Sequence, residues 1–294
     1  MKQSMKPVRA YPSDFSAEEI ADSPSFDWLM PLAPWEDPEI LSQTLESLKQ
    51  QTWQARALVV SVDGQLGSLL EATLQASALP LEVHQSPHWE GTGPVLARGL
   101  LSCQSEIVLR VDADDLSVQE RSRWQVERML ADPRLAVLGG QLEEISWDGQ
   151  LKNAQHLRQV PLTTASIQSL AHWRNPINHP TVALRRSMVL SAGNYRACPY
   201  FEDWDLWLRM LKCGMLLRND PRVVVRARVG ADHLSRRHGW RYLKNEYLFL
   251  LGALRTSSIP FPTVLLLLFT RLPLRLLPKQ WLRTFMAVFL RRDG

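Results

Sequence analysis

Apolar runs alternate with helical patterns along this chain from residue 26 onward. Phe26–Leu32 (FDWLMPL) reads as a strand, and Ile40, Leu41, Leu45 and Leu48 then recur at helical spacing within Glu39–Gln50. Ala57–Val62 (ALVVSV) is a β-branched run that stops at the turn pair Asp63-Gly64. A helix over Leu66–Ala78, a short strand at Leu81–His84, a helix over Pro94–Ser102 and a buried strand at Glu106–Val111 follow. Gln119–Ala131 reads as a helix ending before Pro133, and Leu135–Gly139 as one more strand. Strands alternating with helices predict an α/β fold, a mainly parallel sheet with helices on both faces. Ligands of such sheets bind beyond the carboxyl ends of the strands, where Asp63 and Asp112 lie. Residues 1–25 are polar and proline-dotted, with no apolar core of signal-peptide length, and read as a flexible leader.

Composition narrows the class. The chain has 294 residues, 45% hydrophobic and 22% charged, enough to bury a substantial core, which excludes a disordered, collagen-like or disulfide-stapled chain. Cys103, Cys198 and Cys213 are far apart and form no CxxC pair, so they suit a reducing cytosol and make no zinc site.

Charge adds an asymmetry. From Arg218 to the end there are 15 basic and 4 acidic residues, a balance of +11, against −7 for residues 1–217. A basic segment rich in Leu, Phe and Trp favours an anionic membrane surface over nucleic acid as partner. Phe261–Phe269 is too short to cross a bilayer, which takes about 20 apolar residues. Leu272–Leu277 and Trp281–Leu290 follow, interleaved with Arg271, Arg275, Lys279, Arg283, Arg291 and Arg292. Apolar blocks alternating with cations suit helices lying in the interface of an anionic leaflet; a helical pair packed on the domain is the other reading.

The densest candidate chemistry is Arg110-Val111-Asp112-Ala113-Asp114-Asp115, at a strand end. Three carboxylates within four residues repel one another unless a cation neutralises them. Oxygen ligands at this spacing suit Mg²⁺ or Mn²⁺ with substrate phosphates, while a solvated acidic turn would look the same. Arg110 either pairs with the cluster, the favoured reading, or contacts phosphate. A second acidic pair, Glu202-Asp203, opens a helical pattern that buries Leu206, Trp207, Met210 and Leu211.

Six segments, in order, resemble a family 2 glycosyltransferase of the GT-A fold: Met30–Thr52, Val59–Gly64, Glu90–Asp115 with its DxD strand, Arg121–Gly140, Asn175–Arg196 and Phe201–Gly214 with its Glu-Asp motif. The resemblance implies a GT-A (Rossmann-like), mainly parallel sheet flanked by helices over residues 26–230. A basic, amphipathic C-terminal helical region is expected at 231–294. It also implies inverting transfer of a sugar from a nucleotide-diphosphate donor, a UDP-sugar being favoured. The acceptor is a hydroxyl of a glycan or lipid-linked molecule, and the cofactor Mn²⁺ or Mg²⁺. Asp114 and Asp115 match the metal and diphosphate positions, Asp112 lies towards the ribose, and Asp63 matches the Asp that contacts the nucleobase, or else makes a plain Asp-Gly turn. Asp203 matches the general base, with Glu202 in reserve. Trp204 and His179 fall on the acceptor side, where His179 is equally readable as a hydrogen-bonded structural histidine. Arg236, Arg237 and His238 lie in a late loop able to fold over the diphosphate.

The chain departs from the family pattern at Ala33, Pro34, Trp89 and Ala97, all on the nucleotide side. These departures keep a catalytically silent, membrane-associated binding module as an alternative; an Asp-nucleophile phosphohydrolase is a weaker one. The QxxRW motif and long membrane spans of processive synthases are missing, which favours single-sugar transfer. The expected location is cytoplasmic, peripheral on the inner face of the plasma membrane.

Overall fold

The computed structural model describes residues 24–147, 151–230 and 239–276. Residues 1–23 of the expected leader (1–25), the late loop with Arg236, Arg237 and His238, and the end of the chain from 277 lie outside the described residues.

The first half follows the hydrophobic pattern closely. Strand β1 (Phe26–Leu32) is followed by helix α1 (Pro38–Lys49), β2 (Ala57–Val62), α2 (Ser68–Ala76), β3 (Leu81–Gln85), α3 (Thr92–Ser102) and β4 (Ile107–Arg110). Helix α1 starts where Asp37 accepts hydrogen bonds from the N–H groups of Glu39 and Ile40, with Pro38 in the first turn. All six side chains of β2 are buried, the signature of a central strand covered on both faces. The strands β3, β2, β1 and β4 lie side by side in that order, all parallel. Helix α3 lies close against them because Gly99 has no side chain: a Cβ there would meet Leu29 Cδ1 at 2.5 Å and Ser61 Cβ at 2.9 Å.

The second half joins through an antiparallel strand. After β5 (Leu116–Ser117), α4 (Arg121–Ala131), β6 (Leu135–Ile145), β7 (Leu151–Arg158) and α5 (Thr164–Ala171) come β8 (Ala183–Arg185), α6 (Arg186–Ser191), α7 (Glu202–Lys212) and β9 (Leu216–Arg228). Strand β8 pairs antiparallel with both β4 and β6, and β9 runs parallel to β6 and antiparallel to β5. One nine-stranded sheet therefore links the Asp-rich end of β4 with the acidic start of α7.

Two hydrophobic clusters cover opposite faces of this sheet. One gathers Trp28, Met30, Leu41, Leu45 and Leu58; the other gathers Leu29, Val59, Leu96, Leu184, Leu206 and Trp207. A third joins Phe201, Trp204 and Leu208 of the α7 segment to Tyr242, Phe249 and Leu250 of α8 (Trp240–Arg255) and Val264 and Leu267 of α9 (Phe261–Leu276). Helix α7 thus lies between the sheet and the α8–α9 pair. The inner side of the C-terminal region is a packed helical pair, and Arg271, expected among the lipid-facing cations, instead turns inward. It donates to Glu246 Oε1 at 2.8 Å and to the Trp173 carbonyl, and lies 5.6 Å from the centre of the Trp204 ring. Among the described residues, no helix is long and apolar enough to cross a membrane.

Candidate active site

Asp63 ends β2 and spans to the start of α3. Its carboxylate accepts the N–H of Glu90 at 2.6 Å and that of Gly91 at 2.9 Å. Arg98, about two helical turns further along α3, pairs with Glu90 and donates to the Val62 carbonyl at 2.6 Å. Asp63 therefore does more than make a turn: it ties the end of a central strand to a helix N-terminus, a polarity that favours negative charge.

The cluster after β4 is organised by arginines on either side. Arg110 is buried and grips Asp112 with both guanidinium nitrogens at 2.5 Å, the pairing favoured from sequence. Beneath it, Arg121 is fully buried and donates to the Arg110 carbonyl at 2.6 Å, to Ser117 Oγ at 3.1 Å and to Gln125 at 2.9 Å. Burial pushes the Arg121 guanidinium down to about 9. From β9, Arg228 donates its backbone N–H to Asp115 Oδ1 at 3.2 Å and its guanidinium to the Asp114 carbonyl at 2.6 Å. One carboxylate oxygen from each of Asp112, Asp114 and Asp115 comes within 4.8 Å of the others. Burial, then the Asp112 charge, pushes Asp114 up to about 6 and Asp115 well above the usual carboxylate range. A group of hard oxygen donors, two of them disfavoured as uncompensated anions, fits a divalent cation such as Mg²⁺ or Mn²⁺.

The second acidic site opens α7. Asp203 is buried; its Oδ1 accepts the Trp204 N–H at 2.7 Å and its Oδ2 accepts Asn175 Nδ2. His179 Nδ1 lies 3.9 Å from Asp203 Oδ2, while its Nε2 is 3.0 Å from the Tyr195 hydroxyl. Burial, helped by the Arg110 charge, holds His179 well below its ordinary value, so it stays neutral. Glu202 is pushed up to about 8 by burial and by Asp203; Asp203 is also raised by burial, but its two hydrogen-bond donors pull the other way. Asp203 is therefore the member of the pair whose charged form is supported by two hydrogen-bond donors.

The two acidic sites adjoin. The Arg110 charge acts on Asp114 and Asp115 and also on Glu202 and Asp203, and the Asp112 charge is felt at Glu202. Gly93, in the first turn of α3, forms the third wall. A Cβ there would lie 2.0 Å from the Arg196 carbonyl oxygen and 3.4 Å from Glu202 Cβ. The start of α3, which Asp63 holds through Glu90 and Gly91, is thus in direct contact with Arg196 and with Glu202 at the start of α7.

Asp63, Asp112, Asp114, Asp115, Arg110, His179, Glu202 and Asp203 all fall around this junction. Trp204 does not. Its ring is buried in the third cluster and its Nε1 donates to the Ala171 carbonyl at 2.7 Å, so the acceptor-side assignment is corrected to a packing role. The cause is helical geometry: one residue along α7 rotates the side chain about 100°, from the site towards α8. Sequence reasoning singled out none of Arg121, Asn175, Tyr195 and Arg228, because each reaches the site only through tertiary contacts.

The sequence model of glycosyl transferase family 2 matches residues 36–193, over half the chain. The chain belongs to that family. This family 2 glycosyltransferase is 36% identical to the amylovoran biosynthesis glycosyltransferase AmsE of Erwinia amylovora, over 75% of this chain and 82% of AmsE. It is 34% identical to a Haemophilus influenzae glycosyltransferase over 91% of this chain and 99% of that one. An Escherichia coli enzyme named UDP-Gal:alpha-D-GlcNAc-diphosphoundecaprenol beta-1,3-galactosyltransferase is 27% identical over 87% of this chain and 93% of its own length. The fold is similar to that of S. aureus TarS 1-349, solved in complex with UDP-GlcNAc. The TM-score is 0.60 at 16% identity, covering 78% of this chain and 66% of that one. The family 2 glycosyltransferase thus has the α/β, GT-A architecture anticipated from its sequence.

Proposed function

We propose that this family 2 glycosyltransferase moves a single sugar, with inversion, from a nucleotide-diphosphate donor to a hydroxyl of a lipid-linked or cell-surface glycan in bacterial polysaccharide assembly. The observation that carries this reading is the junction of two acidic sites across Arg110, one a group of three oxygen donors and the other a buried carboxylate with its own hydrogen-bond donors. The relatives named for amylovoran biosynthesis and for galactosyl transfer to a diphosphoundecaprenol-linked sugar support the substrate class. The UDP-GlcNAc complex of TarS supports a UDP-sugar donor.

In this mechanism Asp63 and Asp112 face the nucleoside, and Asp114 and Asp115 are the residues to hold Mn²⁺ or Mg²⁺. A divalent cation bound there supplies neutralisation of the charge that develops on the diphosphate leaving group. Asp203, ionised, accepts the proton of the acceptor hydroxyl as its oxygen forms a bond to the anomeric carbon. The bond from that carbon to the diphosphate oxygen breaks, and the electron pair leaves with the nucleoside diphosphate. Burial and the Asp203 charge raise Glu202, and Asp203, with its two hydrogen-bond donors, is the member of the pair assigned the base role. His179 lines the same corner, 3.9 Å from Asp203, with its Nε2 held by the Tyr195 hydroxyl. The anionic membrane surface is the expected partner of the C-terminal region, placing the enzyme on the cytoplasmic side of the plasma membrane.

The test is donor turnover. Incubated with UDP-sugars and Mn²⁺, the protein is expected to release UDP slowly without acceptor and faster with it. Release of inorganic phosphate, or no turnover with any nucleotide sugar, contradicts the reading.

A further inference from the structure

We infer that the outward face of the α8–α9 pair docks on an anionic bilayer, and that the docked side is the side on which Asp203 meets its acceptor. The docking stands on the surface described below; only the identification of that bilayer as the acceptor's rests on the function proposed above.

The two helices are amphipathic in the same sense. Tyr242, Leu243, Glu246, Phe249, Leu250 and Ala253 of α8 and Val264 and Leu267 of α9 turn inward. The outward stripe of α8 carries Trp240, Tyr247 and Leu248 together with Arg241, Lys244 and Arg255. That of α9 carries Phe261, Leu265, Leu266 and Phe269. Trp240 is 73% exposed and Phe269 81%, values that leave nearly whole aromatic side chains in solvent. Single exposed apolar residues are ordinary, but seven on two adjacent helices mark a surface that something covers.

Charge identifies what covers it. From residue 239 to 276 the sole acidic residue is Glu246, and it is buried with Arg271 on its carboxylate. The outward face therefore bears three cations and, among the described residues, no carboxylate. A second copy seated symmetrically on this face would bring those cations against their own images. Trp and Tyr beside Arg and Lys, above a band of Leu and Phe, match a headgroup region of negative potential over acyl chains. Neither helix is long and apolar enough to cross, so each lies in the plane of the interface.

Position gives the docking its sense. The inner side of the pair packs on Phe201 and Trp204, which flank Glu202 and Asp203 in sequence. Packed helices lie about 10 Å apart, so docking holds the start of α7 about one helix layer from the lipid. Asp203 lies about 100° around α7 from Trp204, so a sugar linked to a lipid in that bilayer reaches it past the edge of the α8–α9 layer.

The experiment is flotation of the full-length chain with vesicles of phosphatidylglycerol and phosphatidylcholine in equal parts, and with phosphatidylcholine alone. Binding is expected on the anionic vesicles only. Leu265→Glu with Phe269→Glu, and separately Arg241→Glu with Lys244→Glu, should each weaken it about tenfold or more, with UDP release in solution unchanged. These side chains are exposed, so circular dichroism should match the wild type. Anionic vesicles that bind both variants as tightly as the wild type overturn the inference. So does equal binding to neutral vesicles, or a solution dimer that the same variants dissociate. A protein that binds anionic vesicles but never turns over a nucleotide sugar refutes the proposed function and leaves the docking standing. One that transfers sugar to a soluble acceptor yet ignores vesicles does the reverse.

Discussion

Asn175 donates its side-chain N–H to Oδ2 of Asp203, in the buried corner where His179 Nδ1 also approaches that oxygen. Burial drives the Asp203 pKa up, and this hydrogen bond opposes the rise because it favours the charged form. Asn175→Ala should therefore move the acid limb of the kcat/KM profile to higher pH, by about one unit for a hydrogen bond to a charged group. Activity lost near neutrality should return as the pH rises. An unshifted limb with uniformly lower activity would mean that Asn175 only supports the fold.

The members of the DxDD cluster should separate by the contacts they make. Asp114→Asn removes one self-repelling carboxylate while keeping an oxygen acceptor, so the metal-free protein should gain stability while its Mn²⁺-induced rise in Tm disappears. Asp115→Ala also strips the acceptor from the Arg228 backbone N–H, at a cost of about 1–3 kcal/mol. Asp115→Asn keeps an acceptor there and should recover that loss without restoring the Mn²⁺ response. Thermal unfolding with and without Mn²⁺ reads all three; a wild-type Mn²⁺ shift in Asp114→Asn would remove Asp114 from the metal group.

Helices α8 and α9 should prove necessary for α7. Arg271→Ala withdraws a guanidinium from buried Glu246 and from the face of Trp204, and about 2–3 kcal/mol of stability should go with it. Deletion of 262–294 also removes Val264 and Leu267 from the third cluster, leaving Trp204 and Phe249 partly uncovered. That chain should lose near-ultraviolet circular dichroism and donor turnover together. A truncated protein with native stability would show that the cluster contributes little.

Gly93→Ala tests the contact between donor and acceptor sides. The added methyl meets a backbone oxygen, not a flexible side-chain tip, so either α3 or the Arg196–Glu202 loop must shift. A loss of about 1–3 kcal/mol is expected, with kcat reduced more than donor affinity. Unchanged kcat in a folded protein would show that this close approach does not set the position of Glu202.

The strand that Asp63 follows and helix α1 were legible because each is a local pattern: a β-branched run for β2, and Ile40, Leu41, Leu45 and Leu48 at helical spacing for α1. The Glu202-Asp203 pair was legible for the same reason, since it precedes a strongly amphipathic helix. Strand β8 was not, because three residues between a single turn and a short helix carry no periodicity, and only pairing with β4 and β6 makes them a strand. Arg228 lies 113 residues from Asp115 in sequence, and Arg121 reaches the Arg110 carbonyl only once α4 packs under β4. Trp204 was misplaced because proximity in sequence to Asp203 says nothing of which side of α7 it faces. Arg271 was counted with the lipid-facing cations because its partner, Glu246, sits in a different helix.

The account rests most directly on Asp203, and the measurement that bears on it is single-turnover transfer by Asp203→Asn, paired with donor binding in Mn²⁺. The substitution is nearly isosteric and leaves the nucleotide side untouched. Donor affinity should stay within about twofold of wild type, while transfer slows by roughly 10²–10⁴-fold, the scale of a lost general base. Transfer at the wild-type rate would contradict the assignment and hand the proton to Glu202 or to no carboxylate of α7 at all.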